Sequence, residues 1–348
     1  MLQAKITPHK FQFITPGGTS RGVLTTKDSW YIQVFEKDKP QIIGIGECSI
    51  LPKLSFDDRP DYMDKLVEVC DNINEYQLNY QESLIDWPSI RFGIEMALLD
   101  LQNGGKHQIF HSDFYTGKRN IPINGLIWMG DIEYMTTQIS QKLQEGFNCI
   151  KIKIGALDFE NEINLIKEIR KVYSVKEIEI RVDANGAFSP DEVIGKMQRL
   201  YELDIHSIEQ PIKAGQWNEM ADICKQSPLS VALDEELIGI HSMAKKAELL
   251  SQINPSYIIL KPSLLGGFKA CEEWIELANK YQVGWWATSA LEGNVGLNAI
   301  AQWTAIQDTN MPQGLGTGKV FSNNISSPLV VENGHLCYKQ NTEWGKLP

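Results

Sequence analysis

Two regimes of apolar patterning succeed one another along the 348-residue chain. From Met1 to about Glu47 the apolar residues form short strand-like runs. Trp30-Tyr31-Ile32-Gln33-Val34-Phe35 and Ile42-Ile43-Gly44-Ile45 flank a charged turn from Glu36 to Pro40, the pattern of a meander. A glycine-rich polar stretch, Thr15 to Gly22, is predicted to be the loop between the first strands. Helical periodicity follows near 60–80 and 89–103, and the second stretch places Ile90, Ile94, Ala97, Leu98 and Leu101 on one face. A sheet followed by helices marks an α+β unit, which Asn103-Gly104-Gly105 ends.

Beyond Arg119 the pattern changes to alternating short β-branched runs and amphipathic segments. Strands are predicted near 121–126, 149–154, 178–183, 205–209, 230–234, 256–261, 283–289 and 312–315, with helices between them such as Asp158 to Tyr173 and Phe268 to Tyr281. Eight such units predict an α/β fold of the TIM-type (β/α) barrel class, for which about 250 residues is usual. The division expected is an α+β domain over 1–115, the barrel over 116–318, and a C-terminal segment over 319–348 that returns to the first domain. Within that segment, Pro328 to Leu347 reads as strand and turn outside the barrel.

Composition narrows the function classes. Apolar and charged fractions of 43% and 22% are ordinary for a globular protein, and a net charge of −11 argues against a nucleic-acid surface. No stretch approaches the roughly 20 apolar residues that cross a bilayer, and the start lacks a long apolar core, so a cytoplasmic protein without a membrane partner is expected. Six cysteines are scattered without a CxxC pair, and the six histidines lack ligand spacing. Any metal must therefore be held by oxygen.

The candidate chemistry lies in a ladder of charged residues, each following a β-branched run: Lys153 in KIKIG, Asp183 in RVDANG, Glu209 in SIEQP, Asp234 in ALDEE and Lys261 in IILKPS. The steps between them are 30, 26, 25 and 27 residues, one βα unit each. All strand ends of a barrel meet at one face, so these side chains are expected to surround one point. Three carboxylates there repel one another unless a cation sits among them, and a hard divalent ion such as Mg²⁺, or Mn²⁺, suits oxygen ligands. Glu235 rivals Asp234, since side chains alternate along a strand and one of the two faces inward. Lys151 and Lys153 share a face, and two adjacent ammonium groups favour loss of a proton from one, making Lys153 a candidate base. A base beside a cation that binds a carboxylate is equipped to remove an α-proton and form an enediolate.

These motifs, KIKIG with DAN, EQP, DEE and KPS, resemble the muconate-lactonizing subgroup of the enolase superfamily. The narrower likeness, carried by Thr19-Ser20-Arg21-Gly22-Val23-Leu24, by Ser289 to Ala299 and by Gly314-Leu315-Gly316-Thr317-Gly318, is to its o-succinylbenzoate-forming branch. The resemblance spans nearly the whole chain and implies an enolase-like modified barrel with an N-terminal capping domain. It implies Asp183, Glu209 and Asp234 as Mg²⁺ ligands and Lys153 as the acid/base residue. The implied reaction is syn dehydration of 2-succinyl-6-hydroxy-2,4-cyclohexadiene-1-carboxylate, a small-molecule carboxylate of menaquinone biosynthesis. Lys261 would favour the delocalised anion from the opposite face. Lys151, Arg181, Asn185 and Glu235 would support the site. Arg21, Ser289, Ala290 and Leu291 would contact substrate, with 17–22 and the segment after Glu47 forming a lid.

Other readings stay open at this level. An N-acylamino acid racemase or dipeptide epimerase would use Lys153 and Lys261 as opposed acid and base, although the Asp-x-Asp expected on the eighth loop of dipeptide epimerases is replaced by Gly314 to Gly318. Muconate cycloisomerisation fits the seventh loop less well. A metal-free Schiff-base aldolase or a non-catalytic binding barrel would leave the carboxylates unexplained. Oligomeric state is not encoded in any of these features.

Overall fold

The computed structural model describes residues 1–19, 22–307 and 309–348, the side chains at 18 and 19 excepted. The chain opens with a long antiparallel hairpin, β1 (Leu2–Thr19) and β2 (Gly22–Glu36), in which Leu2 lies opposite Glu36 and Thr19 opposite Gly22. The stretch expected to be a loop, 15–22, is thus mostly strand. A register shift between Gln12 and Gly17 absorbs its irregularity. β3 (Ile43–Ser49) completes the sheet.

Three helices cover this sheet: α1 (Tyr62–Asp71), α2 (Ile73–Ser83) and α3 (Pro88–Gln102). The helix expected over 60–80 breaks at Asn72, whose side-chain amide donates to the Glu68 carbonyl at 2.8 Å and so competes with helix continuation. β3 and α3 approach so closely that a Cβ at Gly46 would stand 1.9 Å from the Gly93 carbonyl oxygen, so only glycine fits. Ile32, Val34, Leu66, Val69, Ile90 and Ile94 form the core between the layers.

The second part alternates strand and helix. After β4 (Ile121–Pro122) come β5 (Gly125–Ile127), α4 (Ile132–Gln144), β6 (Cys149–Lys153), α5 (Phe159–Val172), β7 (Glu179–Asp183) and α6 (Pro190–Tyr201). They continue as β8 (Ser207–Glu209), α7 (Trp217–Gln226), β9 (Ser230–Leu233), α8 (Met243–Ile253), β10 (Tyr257–Leu260), a short α9 (Pro262–Leu265), α10 (Phe268–Tyr281), β11 (Gly284–Ala287) and α11 (Asn294–Ala305). Strands β5 to β11 form one curled parallel sheet in chain order.

Neither end of the strand prediction holds as written. Residues 121–126 divide between β4, which pairs with the C-terminal hairpin, and β5, which opens the barrel. In place of an eighth strand over 312–315, Gln313 and Gly314 bridge the two sheet edges. Gln313 accepts from the Asn124 amide at 2.9 Å, and Gly314 donates to the Ala287 carbonyl at 2.8 Å. Two residues suffice to close the ring because the flanking edges already stand one strand apart.

Alternation along the strands sorts the side chains. Ile150, Ile152, Val182 and Ile208 pack in the core against the helices, while Lys151, Lys153, Arg181, Asp183 and Glu209 turn inward. The C-terminal residues return along two routes. Residues 320–323 run beside β1, with the Ile14 amide donating to the Val320 carbonyl at 2.9 Å, and the hairpin β12 (Leu329–Glu332) with β13 (His335–Tyr338) pairs with β4. Among the described residues no helix is long and apolar enough to cross a membrane.

Candidate active site

Strand register builds the site. Lys153 of β6 is paired with Asp183 of β7, and Asp183 with Glu209 of β8, so three ladder residues stand in one row at the strand ends. Asp234 lies just beyond β9, and Lys261 just beyond β10, where it precedes α9. Lys151, one inward position deeper than Lys153, donates to Asp183 at 3.0 Å and to both Glu209 oxygens at 2.9 and 3.1 Å. Lys153 donates to Asp183 at 2.9 Å and to the Asn185 side-chain oxygen at 2.7 Å. Lys261 donates to Asp234 and stands 4.0 Å from Glu209.

Asp234 is the inward-facing member of its pair. Its neighbour Glu235 opens a single 3₁₀ turn and accepts from the Asn185 side-chain amide at 3.1 Å, placing it beside the cluster. Arg181 requires a correction. It lies below the row of carboxylates, bonded to Glu179 at 2.7 Å and the Pro312 carbonyl at 2.9 Å, with its guanidinium 4.2 Å over Trp286. It therefore supports the barrel interior and contacts none of Asp183, Glu209 and Asp234. Residue spacing along β7 gave it the inward face but not the depth.

Burial and crowding set the electrostatics. The Glu209 carboxyl is pushed up to about 8 by burial and by the Asp183 charge, against the pull of Lys151. Burial likewise raises Asp234, with Lys261 pulling the other way. Asp183 is the exception: burial would raise it, but Lys151, Lys153 and Lys261 together hold it well below the usual carboxylate range. Burial works against the Lys151 ammonium too, and Asp183, Glu209 and Asp234 more than offset it, so its affinity for a proton rises. The mutual repulsion of two lysines is thus outweighed at Lys151 by the acids around it.

The donor set suits a hard cation: three carboxylates, each at most 3% exposed and bridged through two shared ammonium groups. Among the described residues no three side chains already stand at the spacing of a metal cage, since Lys151 and Lys261 lie between the acids.

Above the cluster lies a cavity of about 270 Å³. Lys151, Lys153, Asp183, Asn185 and Lys261 line its floor, and Ser289, Ala290 and Leu291 one wall. Of the expected lid segments, Gly22 and Leu51 to Leu54 line the cavity, joined by Val23 and Leu24 of β2, which lie just beyond the stretch 17–22. Arg21 lies outside the described residues. The Ser289 hydroxyl, expected to face substrate, instead donates to Glu292 at 2.6 Å and accepts from the Leu291 amide at 3.1 Å and from Thr317 at 2.8 Å.

Several site residues escaped the sequence reading. Asn124 and Thr288 line the cavity, both buried, and each leaves a side-chain oxygen without a hydrogen-bond partner among the described residues. Thr288 follows inward-facing Trp286 by two, so alternation was its available signal; Asn124 had none. Glu292 joins the sixth and seventh loops by accepting from both Ser263 and Ser289. Lys53 lines the mouth from the lid.

A lysine pair, an opposed lysine and three carboxylates at the mouth of a modified barrel define the class of protein. Residues 134–341 match the family described as enolase C-terminal domain-like, and the chain belongs to that family. An o-succinylbenzoate synthase from Desulfotalea psychrophila is 46% identical over 93% of this chain and 95% of its own length. A crystal structure of MenC from Desulfotalea psychrophila LSv54 superposes with a TM-score of 0.83 at 42% identity, covering 97% of this chain and 99% of the other. Likeness of that extent supports o-succinylbenzoate synthase activity, a lyase reaction, for this chain. An L-Ala-D/L-amino acid epimerase from Flavobacterium johnsoniae is 30% identical over 64% of this chain and 62% of its own. A dipeptide epimerase from Enterococcus faecalis V583, crystallised with Mg and a dipeptide, shares the fold with a TM-score of 0.83 at 18% identity, covering 99% of this chain and 98% of its own.

Proposed function

We propose that this chain dehydrates 2-succinyl-6-hydroxy-2,4-cyclohexadiene-1-carboxylate to o-succinylbenzoate, as a cytoplasmic step of menaquinone biosynthesis. Asp183, Glu209 and Asp234 would hold Mg²⁺, or Mn²⁺, which accept the same oxygen ligands. In this reading residues 1–115 cap the barrel mouth, 116–318 carry the chemistry and 319–348 tie the two together. Magnesium in the related dipeptide epimerase structure supports a divalent cation as the cofactor.

Bound there, the cation would supply positive charge to the substrate's ring carboxylate as its α-proton leaves. Lys153, in its neutral amine form, takes that proton from the carbon bearing the carboxylate and becomes the ammonium. The same residue returns a proton to the departing 6-hydroxyl on the same face, and the ring becomes aromatic. Asn185 orients the Lys153 amine through their 2.7 Å hydrogen bond. Lys261, on a strand across the barrel, stabilises the delocalised anion by charge from the other face. Lys151 neutralises Asp183 and Glu209 from below.

The observation that carries dehydration over dipeptide epimerisation is the polarity of the cavity wall. Lys53, Lys151, Lys153 and Lys261 line it, and Asp183 is the only acid among its described lining residues. Such a wall suits a dicarboxylate and offers no second acid to a substrate ammonium. The test is an assay of purified protein with Mg²⁺ on the cyclohexadiene substrate, beside α-proton exchange of N-succinylamino acids. Fast dehydration with slow or absent exchange supports the proposal, and exchange without dehydration overturns it.

A further inference from the structure

The proposed substrate carries two carboxylates, and the floor of the cavity accounts for one. The ring carboxylate belongs at the acid and lysine cluster, where the proton is lost. The succinyl carboxylate, several bonds away, would then lie toward the mouth, where most lining side chains are apolar: Val23, Leu24, Leu51, Leu54, Trp128 and Leu291. An anion desolvated against such a wall is costly without a partner.

Four lysines line the cavity, and three of them are engaged. Lys151, Lys153 and Lys261 are each ion-paired to Asp183, Glu209 or Asp234. Lys53 is the remaining one, and its ammonium has no ion pair or hydrogen bond with any described residue. Its place is fixed by its loop. The Lys53 amide donates to Asp58 at 2.7 Å, and the Leu51 amide donates to the Ser55 hydroxyl at 2.8 Å. Buried Asp57 fastens the same loop to the start of α3 by accepting from the Ser89 amide and hydroxyl at 2.8 and 2.6 Å. Lys53 itself has φ 64°, a conformation that glycine or asparagine adopts more readily, so the position holds a lysine at some conformational cost.

We propose that Lys53 is the anchor for the substrate's distal carboxylate, selecting acids with a second anionic group at the end of a short flexible chain. The proposal rests on the functional reading above and adds a specificity residue to it. Lys53 touches the part of the substrate that does not react, so it supplies binding that is nearly the same in ground state and transition state. Loss of such an interaction raises KM and leaves kcat little changed.

The experiment compares wild type, Lys53→Ala and Lys53→Arg on the natural dicarboxylate and on its analogue with the succinyl carboxylate converted to a primary amide. Circular dichroism melts confirm that the variants fold. The expected result is a KM for Lys53→Ala on the dicarboxylate about tenfold above wild type, equivalent to about 1.4 kcal/mol, with substantial recovery in Lys53→Arg. On the amide, wild type and Lys53→Ala should have similar KM values, because the charge that Lys53 recognises is gone. An unchanged KM for Lys53→Ala on the dicarboxylate overturns the inference, as does an equal penalty on acid and amide. Wild type that dehydrates neither compound overturns the functional reading and this inference with it, a result distinct from dehydration that ignores residue 53.

Discussion

The Lys153 ammonium donates to the Asn185 side-chain oxygen at 2.7 Å, and the Asn185 side-chain amide donates to Glu235 at 3.1 Å. Asn185 thus holds the reacting lysine from one side while being held from the other. Its φ of 44° allows a test free of backbone strain, because glycine tolerates that conformation. Asn185→Gly should lower kcat by roughly 10- to 100-fold, the kinetic equivalent of a hydrogen bond to a charged group. KM should change far less, and steady-state kinetics separate the two. An unaltered kcat would show that the bond does not position Lys153.

A second relationship ties the two parts of the molecule. Glu47 of β3 is fully buried and accepts from the Gly293 and Gly296 amides at 2.7 and 2.9 Å, at the start of α11. A carboxylate at a helix N-terminus satisfies otherwise unpaired amides and complements the helix dipole. Glu47→Ala strands those amides and removes the strongest of the opposing charges around buried Lys27, with Glu292 and Asp28 remaining, so a loss of about 2–4 kcal/mol is expected in urea unfolding. A loss below about 1 kcal/mol would mean that the cap is replaceable by water.

How much of this was readable follows from how each contact is made. The row Lys153, Asp183, Glu209 was legible because strand alternation and one βα period between neighbours are local rules that survive folding. Lys261 was legible for the same reason. The depth of Arg181 was not, since an inward face is shared by every second residue and only the packing on Trp286 separates the layers. Glu47 and Gly293 meet across 246 positions, and no periodicity links them. The eighth strand, expected over 312–315, shrank to bridges at Gln313 and Gly314, because the number of residues that pair is set by the flanking edges and not by the local pattern. The likeness to a known family supplied the reaction, which spacing alone left open between dehydration and epimerisation.

Gly314 closes the barrel against Thr288. A Cβ there would stand 2.5 Å from the Thr288 hydroxyl oxygen and 2.8 Å from its methyl carbon. Gly314→Ala should therefore destabilise by about 1–3 kcal/mol through overpacking. Thr288→Ala in the same chain removes these two atoms but keeps the Thr288 Cβ, 2.9 Å from the added carbon, and should recover part of that loss. Additive losses in the double variant would place the strain elsewhere.

One buried acid gives a pH signature remote from the ladder. Glu95 of α3 accepts from the Phe268 and Lys269 amides, and burial raises its carboxyl from 4.5 to about 7. With the folded value above the unfolded one, its contribution is fully present below about 4.5 and is lost as pH rises through 7. Relative to Glu95→Gln, wild type should lose up to about 3 kcal/mol of stability between pH 4.5 and 8. Paired urea titrations at those two values measure it, and a difference independent of pH would contradict the assignment.

The central claim is that Lys153 moves the proton. Lys153→Ala, assayed for dehydration of the cyclohexadiene substrate in Mg²⁺ alongside calorimetric binding of substrate and Mg²⁺, tests it most directly. The account predicts turnover lost by at least about 10³-fold with both binding events retained. Substantial turnover by that variant would contradict it.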